Sequence, residues 1–419
     1  MRPRSTVGRR RTEIQSQQMQ LGRKHRPDYW LLIWCAALLA IGLVVVYAIS
    51  PALSASHHVS GNYYVSKQLI AIFLSLIAFV VTANVPLKWW RQAYKPLLLV
   101  AAGATLLALI IPVNPAYPAH RWVRLGSFSF QSVELVKFAL LIALAGFLAE
   151  RASRGQLGDQ TRTFKPLLLA LVISGMVIAG PEKIHAQSDL GSMGVMIAMI
   201  GTMCFIIGMP MKRLLMIAGI LLVGAILVIL PSSYRRDRLE AFMHPEANCQ
   251  TTGYQACESL ISIGSGGLIG LGLGSSVQAY GYQPEAANDS IFAIYAEKFG
   301  FVGTTILLGI FVAFFARLKS IAERLTDDFS RLLVIGVLAW FSSQALINIG
   351  GMIGLLPLKG ITLPFISYGG TSVVFAAAAV GLVFQASAYA SMTVPRIADA
   401  PKAPGRRDFR NNSLRRASY

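Results

Sequence analysis

Charge is scarce in this chain of 419 residues. Only 14% of it is Asp, Glu, Lys or Arg and 54% is hydrophobic, whereas soluble domains carry roughly 25% charged residues. That composition excludes an ordinary soluble enzyme, and equally a disordered chain, which would be polar and poor in aliphatic residues. Acids are scarcer still, 19 against 38 Lys and Arg. Four cysteines are too few for a disulfide scaffold. Six histidines are scattered without an HExxH pattern, so no metal site is written in the sequence. No repeat recurs at a fixed period. No cleavable leader is visible: the first apolar run is too long for a signal core, and no small-residue cleavage site follows it.

The net charge of +19 would by itself point to nucleic acid, but its distribution argues against that partner. Residues 1–30 hold eight Arg or Lys and two acids, and residues 395–419 hold seven and two. Between those ends the chain is a series of apolar stretches near the 20 residues that a membrane-crossing helix needs. They fall at 29–49, 67–86, 96–112, 132–149, 166–180, 190–208, 213–231, 291–316, 332–352 and 372–392. The expectation is an all-α integral membrane protein with about ten transmembrane helices. A basic tail (1–28), a membrane domain (29–392) and a second basic tail (393–419) make up the chain. The fifth and sixth stretches flank a polar break from Pro181 to Gly191. Such a break survives at membrane depth only where protein or a wet cavity covers its backbone.

Basic residues favour the cytoplasmic side. Both tails are therefore expected there, together with the turns carrying Arg91, Arg151, Arg154, Arg317 and Arg324. The opposite face then receives 50–66, 113–131, 181–190, 232–290 and 353–371. The large loop, 232–290, lies between helices seven and eight.

Arginine on that outer side is unusual, yet Arg121, Arg124, Arg235, Arg236 and Arg238 all fall there. They serve either as headgroup anchors or as an anion site, since the arginine fork donates two parallel hydrogen bonds to phosphate. Lys359 is another outer cation, either an interfacial anchor or part of the same site. Acids near membrane depth are few and informative: Glu134, Asp189, Glu285, Asp289 and Glu297. Asp289 precedes a helix and reads either as its N-cap or as a functional carboxylate. Glu297 reads as a structural partner. Gln344 and Asn348, one turn apart, read as interhelical hydrogen-bonding groups.

The glycine run from Gly264 to Gly274 lacks both the GK[ST] ending and the strand–helix context of a phosphate loop. It is expected to be a flexible or tightly packed re-entrant loop. The segment Leu355–Gly370, with two prolines, cannot be one continuous helix. Cys249 and Cys257 share the outer loop and leave a disulfide and two free thiols both open.

The outer segments, taken in order, resemble the SEDS glycosyltransferases of bacteria, the FtsW and RodA type. The likeness rests on Arg121-Trp-Val-Arg-Leu-Gly126 with Gln131 and Glu134, and on Gln187-Ser-Asp-Leu-Gly191. It continues through Tyr254-Gln255 with Ser259 to Gly267, Pro284-Glu285-Ala286 with Asp289, and Gly354 to Gly370 including Lys359 and Ser367. Ala287-Asn288, Ser188 and Ser132-Val133 depart from the family pattern.

The resemblance implies a SEDS-like fold and polymerisation of lipid II into glycan strands at the outer face of the bacterial plasma membrane. The leaving group in that reaction, a polyprenyl pyrophosphate, needs its charge neutralised more than it needs an acid. The acceptor hydroxyl needs a base. By motif, Asp289 is the expected base. The expected substrate-binding residues are Arg121, Arg238, Lys359, Glu134, Gln187, Ser259, Glu285 and Ser367. No metal ligand is assigned and no cofactor is certain, although Mg²⁺ or Mn²⁺ is compatible with the pyrophosphate. The implied partners are a class B penicillin-binding transpeptidase and other divisome or elongasome membrane proteins. The long basic tails favour a division-type member at the septum. A non-catalytic scaffold for the transpeptidase and a lipid II flippase are the rival readings.

Overall fold

The computed structural model describes residues 25–110, 122–125, 128–179, 189–230, 232–244 and 249–390. Arg121 and Gln187 lie outside the described residues, as do nearly all of both tails. Twelve α-helices are present among those described. They are α1 (Tyr29–Ser56), α2 (Tyr63–Asn84), α3 (Leu87–Ile110), α4 (Ser132–Ser153), α5 (Lys165–Ala179) and α6 (Leu190–Ile206). There follow α7 (Met211–Ile229), α8 (Ser233–Met243), α9 (Tyr254–Ser265), α10 (Ile291–Arg324), α11 (Asp328–Met352) and α12 (Gly370–Ser387).

Every expected apolar stretch carries a helix, but the expected count of ten full-length spans is not reached. Among the described residues seven helices are long and apolar enough to cross a membrane: α1–α4 and α10–α12. Helices α5 and α6 have only 15 and 17 residues, short of the roughly 20 a straight crossing needs. Helix α7 has 19 residues. The interior is formed by α4, α11 and α12, which are mostly buried, while α2, α3 and α10 turn most of their apolar surface outward. Outward apolar side chains such as Phe73, Leu99 and Val312 are what a lipid-facing surface requires. One feature departs from an all-α chain. Residues Trp122–Leu125 and Phe128–Gln131 pair as an antiparallel hairpin, Val123 opposite Phe130, ahead of α4.

Helix α10 is broken at Gly300, whose backbone (φ 63°, ψ −163°) is not helical. Four backbone hydrogen bonds bypass the break. Leu271 N and Gly272 N donate to Glu297 O and Lys298 O, while Phe301 N and Val302 N donate to Gly267 O and Leu268 O. The glycine run therefore takes over the partners that helix residues 297–302 lose to one another. This satisfies backbone polar groups that a lipid environment cannot. Of the two expectations for that run, the tightly packed one applies. A Cβ on Gly300 would overlap the backbone of Gly270, and one on Gly270 would overlap Lys298 O. Glu297 holds the next stretch of loop, accepting from Val277 N at 3.0 Å, from Gln278 N at 3.3 Å and from the Ser276 hydroxyl. Gly300→Ala is expected to cost about 1–3 kcal/mol from the backbone conformation alone, with overlap adding to it. The check is thermal unfolding in detergent beside the neighbouring Phe301→Ala.

Candidate functional site

Three connections converge on Asp289: the turn 284–290 before α10, the start of α9, and the segment 353–369 between α11 and α12. The turn is tight, with Glu285 at φ 51° and its carbonyl accepting from Asn288 N at 2.9 Å. Helix α10 starts after Ser290, and no side chain caps it. The capping role open to Asp289 is thus not what its carboxylate performs. Its Oδ2 accepts from Gln255 Nε2 at 3.3 Å, and Oδ1 is buried with no hydrogen-bond partner among the described residues. A buried carboxylate oxygen left without a donor is costly and calls for a reason.

The 353–369 segment is clamped beside this turn. Asn348 Nδ2 donates to both Asp289 O and Ile361 O at 2.7 Å. Ser367 Oγ donates to Asn288 O at 2.6 Å and accepts from Leu363 N at 2.7 Å. Tyr368 N donates to Ala287 O at 2.8 Å. The segment also presses on the start of α6, where a Cβ on Gly191 would meet the Lys359 and Ile361 side chains. Asp189 caps that helix through Ser192 N at 2.9 Å. The glycine of the polar break therefore sets how closely Lys359 approaches.

Electrostatics at this place are unusual. Burial, and then the nearby charge of Glu285, push the Asp289 carboxyl up to about 7, with Gln255 and Arg238 opposing the rise. Lys359 is pulled below the ordinary lysine value by burial and by the charges of Arg238 and Arg235. Arg235 and Arg238 thus set two further positive charges within electrostatic reach of Lys359, a grouping suited to an anionic ligand. Arg238, on α8, also donates to Leu358 O at 3.3 Å. It lines a cavity of about 180 Å³ with Gln255, Phe242, Thr252 and Leu358.

Of the residues expected from sequence, Asp289, Arg238, Lys359, Glu285 and Ser367 come together here. Ser259 lies one turn beyond Gln255, fully buried. Its hydroxyl donates to Gln255 O at 2.7 Å and accepts from Gln283 Nε2 at 3.0 Å. In this structure the hydroxyls of Ser259 and Ser367 hold backbone and neighbouring side chains around the Asp289 turn. Gln255, Asn348 and Arg235 complete the place. Gln255 stood in a recognised motif, and its spacing from Asp289 carried no signal.

Glu134, expected at the substrate, pairs with Lys137 at 2.8 Å, both side chains almost fully buried. Lys137 Nζ also donates to Gln344 Oε1 at 3.1 Å, and Trp340 Nε1 donates to the same oxygen at 2.8 Å. Gln344 Nε2 in turn donates to Thr362 O at 2.9 Å. Gln344 therefore makes the expected interhelical bond, to Lys137 of α4, and together with Asn348 it also binds successive carbonyls, Thr362 and Ile361, of one extended segment. The signal for Lys137 was legible: an acid and a lysine three residues apart share a helix face.

Cys249 and Cys257 are bridged, their Cα atoms 5.5 Å apart. Cys257 follows Gln255 in the first turn of α9, so the bridge braces the helix that contacts Asp289. Disulfides persist in oxidising compartments, which agrees with an outer position for this loop. Replacing both with Ser is expected to cost about 2–3 kcal/mol by loop-closure entropy. Unfolding with and without reductant, beside the double Ser variant, checks it.

The family model described as "Cell cycle protein" (FtsW, RodA, SpoVE) matches residues 29–392. The probable peptidoglycan glycosyltransferase FtsW of Saccharophagus degradans is 37% identical over 86% of this chain and 92% of its own length. Stage V sporulation protein E of Bacillus subtilis is 34% identical over 88% and 98%. Among solved structures, a chain of a peptidoglycan synthase complex aligns with a TM-score of 0.68 at 25% identity, covering 86% of this chain and 97% of its own. The rod shape determining protein RodA of Thermus thermophilus aligns with a TM-score of 0.60 at 25% identity, covering 86% and 96%. Helices long and apolar enough for several crossings define a multi-pass membrane protein, and the buried carboxylate near Arg238 and Lys359 gives it a candidate catalytic centre. The chain belongs to the SEDS family of FtsW/RodA-type peptidoglycan glycosyltransferases, which polymerise glycan strands, and FtsW-named relatives predominate among its matches.

Proposed function

We propose that the chain polymerises lipid II at the outer face of the plasma membrane, with Asp289 as general base. The observation that carries this is a buried carboxylate with one unpartnered oxygen, within electrostatic reach of Arg238 and next to the segment bearing Lys359. The acceptor sugar hydroxyl gives its proton to Asp289 as its oxygen bonds to the donor's anomeric carbon. The bond from that carbon to the pyrophosphate oxygen breaks at the same centre. Arg238 and Lys359, joined in this reading by Arg235 and Arg121, stabilise the charge that develops on the departing pyrophosphate. Glu285 holds Asn288 and raises the basicity of Asp289. Gln187 belongs to the same polar break as Asp189 and is assigned to the substrate on motif alone.

Among the described residues no group of three or more His, Cys, Asp or Glu could hold a metal. Mg²⁺ is usually held by one or two carboxylates together with substrate phosphates. Asp289 Oδ1 fits one such contact, and a divalent ion there would neutralise pyrophosphate charge. In this reading all ten apolar helices cross or enter the membrane, α5 and α6 meeting at their polar break, so that both basic tails are cytoplasmic. The large loop between α7 and α10 is then extracytoplasmic. The solved synthase complex, which couples polymerization and crosslinking, supports a class B transpeptidase as partner. The predominance of FtsW relatives supports the division septum.

The test is polymerisation of labelled lipid II by purified protein with Mg²⁺ or Mn²⁺, with and without that transpeptidase. Glycan chains are expected. No product from folded protein with the partner present would overturn the proposal in favour of a scaffold or flippase.

A further inference from the structure

A second polar cavity, of about 290 Å³, lies where the start of α1 and the ends of α10 and α12 converge. Its framework is specific. His25 N donates to Ala388 O at 2.7 Å, and Asp28 N donates to Ser387 Oγ at 2.9 Å. Arg317 makes a two-pronged pair with Asp28, through Nη2 at 2.6 Å and Nε at 2.9 Å. Arg26 and Arg324 also line the cavity, and Arg324 Nε is enclosed without a hydrogen-bond partner. Since Arg317 and Asp28 neutralise each other, Arg26 and Arg324 leave an excess of two positive charges among the described residues of the cavity. An enclosed donor left without an acceptor, in a cavity of uncompensated positive charge, is a place for an anion.

The position bears on which anion. Asp289 stands just before the first residue of α10, and Arg324 is its last. The uninterrupted stretch from Phe301 to Arg324 spans about 36 Å at 1.5 Å per residue, more than the roughly 30 Å hydrocarbon core. The cavity therefore lies at the membrane face opposite Asp289. Tyr29 and Trp30 line it and are 57% and 56% exposed, the placement of aromatic residues at a membrane–water boundary.

We propose that this cavity binds a phosphate ester through Arg26 and Arg324, at the interface opposite the polymerising site. Two sources share that chemistry: the phosphodiester of an anionic phospholipid, and a soluble phosphate. Arginine suits either through its fork of parallel donors. The proposal is independent of the role given to Asp289, and its test does not read polymerisation.

The full chain in phosphatidylcholine nanodiscs would be titrated with phosphatidylglycerol, and retained lipid counted by native mass spectrometry. Work at about 1 M salt, where the Debye length is about 3 Å, removes diffuse attraction to the tail arginines. The Arg26→Gln/Arg324→Gln double variant is expected to lose at least about 10-fold in lipid affinity. The tail variant Arg9→Gln/Arg10→Gln/Arg11→Gln should keep it. Displacement of the lipid by millimolar inorganic phosphate supports the site with a soluble source, and its absence supports the lipid. Equal retention by wild type and double variant overturns the proposal. Because the double variant could misfold, a photoactivatable phosphatidylglycerol on wild type provides a second reading. Crosslinks at residues 25–30 or 317–324 are expected, and crosslinks confined to other segments overturn the site.

Discussion

Asp289→Asn is expected to lower the rate of glycan polymerisation by about 10²–10⁴-fold, the usual contribution of a general base. The change removes the proton acceptor and keeps the shape, since the amide still accepts from Gln255. It should leave the protein folded, and the pH dependence of stability shows why. The carboxyl sits at about 7 in the folded protein and near 3.9 in an unfolded chain. Between those values the folded state holds a proton that the unfolded state has lost. Stability contributed by this group is therefore present below pH 4 and is lost as pH rises to 7. Above pH 7 the ionised carboxylate is a net cost, so Asn at this position should raise the melting temperature measured at pH 8. Activity runs the other way, rising with pH as Asp289 ionises and levelling above about 7. A variant with equal rate and an unchanged pH profile would remove Asp289 from the chemistry. One with lower rate and lower melting temperature would point to a structural role instead.

Lys137→Met should destabilise the protein by about 3–5 kcal/mol, the cost of leaving one member of a buried ion pair uncompensated. Glu134 is 3% exposed and its second oxygen already lacks a hydrogen-bond partner. Loss of the lysine also removes one of the two donors that orient Gln344, and so loosens its hold on Thr362. The companion Glu134→Gln/Lys137→Met should recover most of the loss, because no isolated charge then remains buried. Chemical or thermal unfolding of the two variants side by side decides it. If the double variant is no better than the single, the pair acts through Gln344 and Thr362 rather than through its own charge. In that event activity should fall in parallel, since the same segment holds the Asp289 turn.

Much of this architecture is visible in the order of residues because membranes impose simple rules. A helix that meets lipid must be apolar on its outer face and must satisfy its own backbone, so each apolar stretch marks a helix. The limit of that rule appears at α5 and α6: both stretches are apolar, but the helices described there have only 15 and 17 residues. The hairpin at 122–131 escaped notice because four-residue strands give little periodicity. Asp289, Arg238 and Lys359 stood out as rare charges on the wrong side of a membrane chain. Lys137 did not, although it lies one turn from Glu134, because a lone lysine within an apolar run reads as an anchor until its partners are seen.

Sequence alone determined the class of protein, the helical stretches, the basic ends and the carboxylate on which the proposed chemistry rests. Those properties are local or cumulative, set by hydropathy, charge and short motifs. The tertiary structure decided how the parts serve one another. It showed that the glycine run mends the break in α10, and that Asn348 and Gln344 grip one extended segment from below. It set the hydroxyls of Ser259 and Ser367 against Gln255 and Asn288, and joined Cys249 to Cys257. Each of these joins groups far apart in the chain, or depends on which donor reaches which acceptor. Spacing in a sequence carries no information about such contacts until packing brings the segments within hydrogen-bond distance.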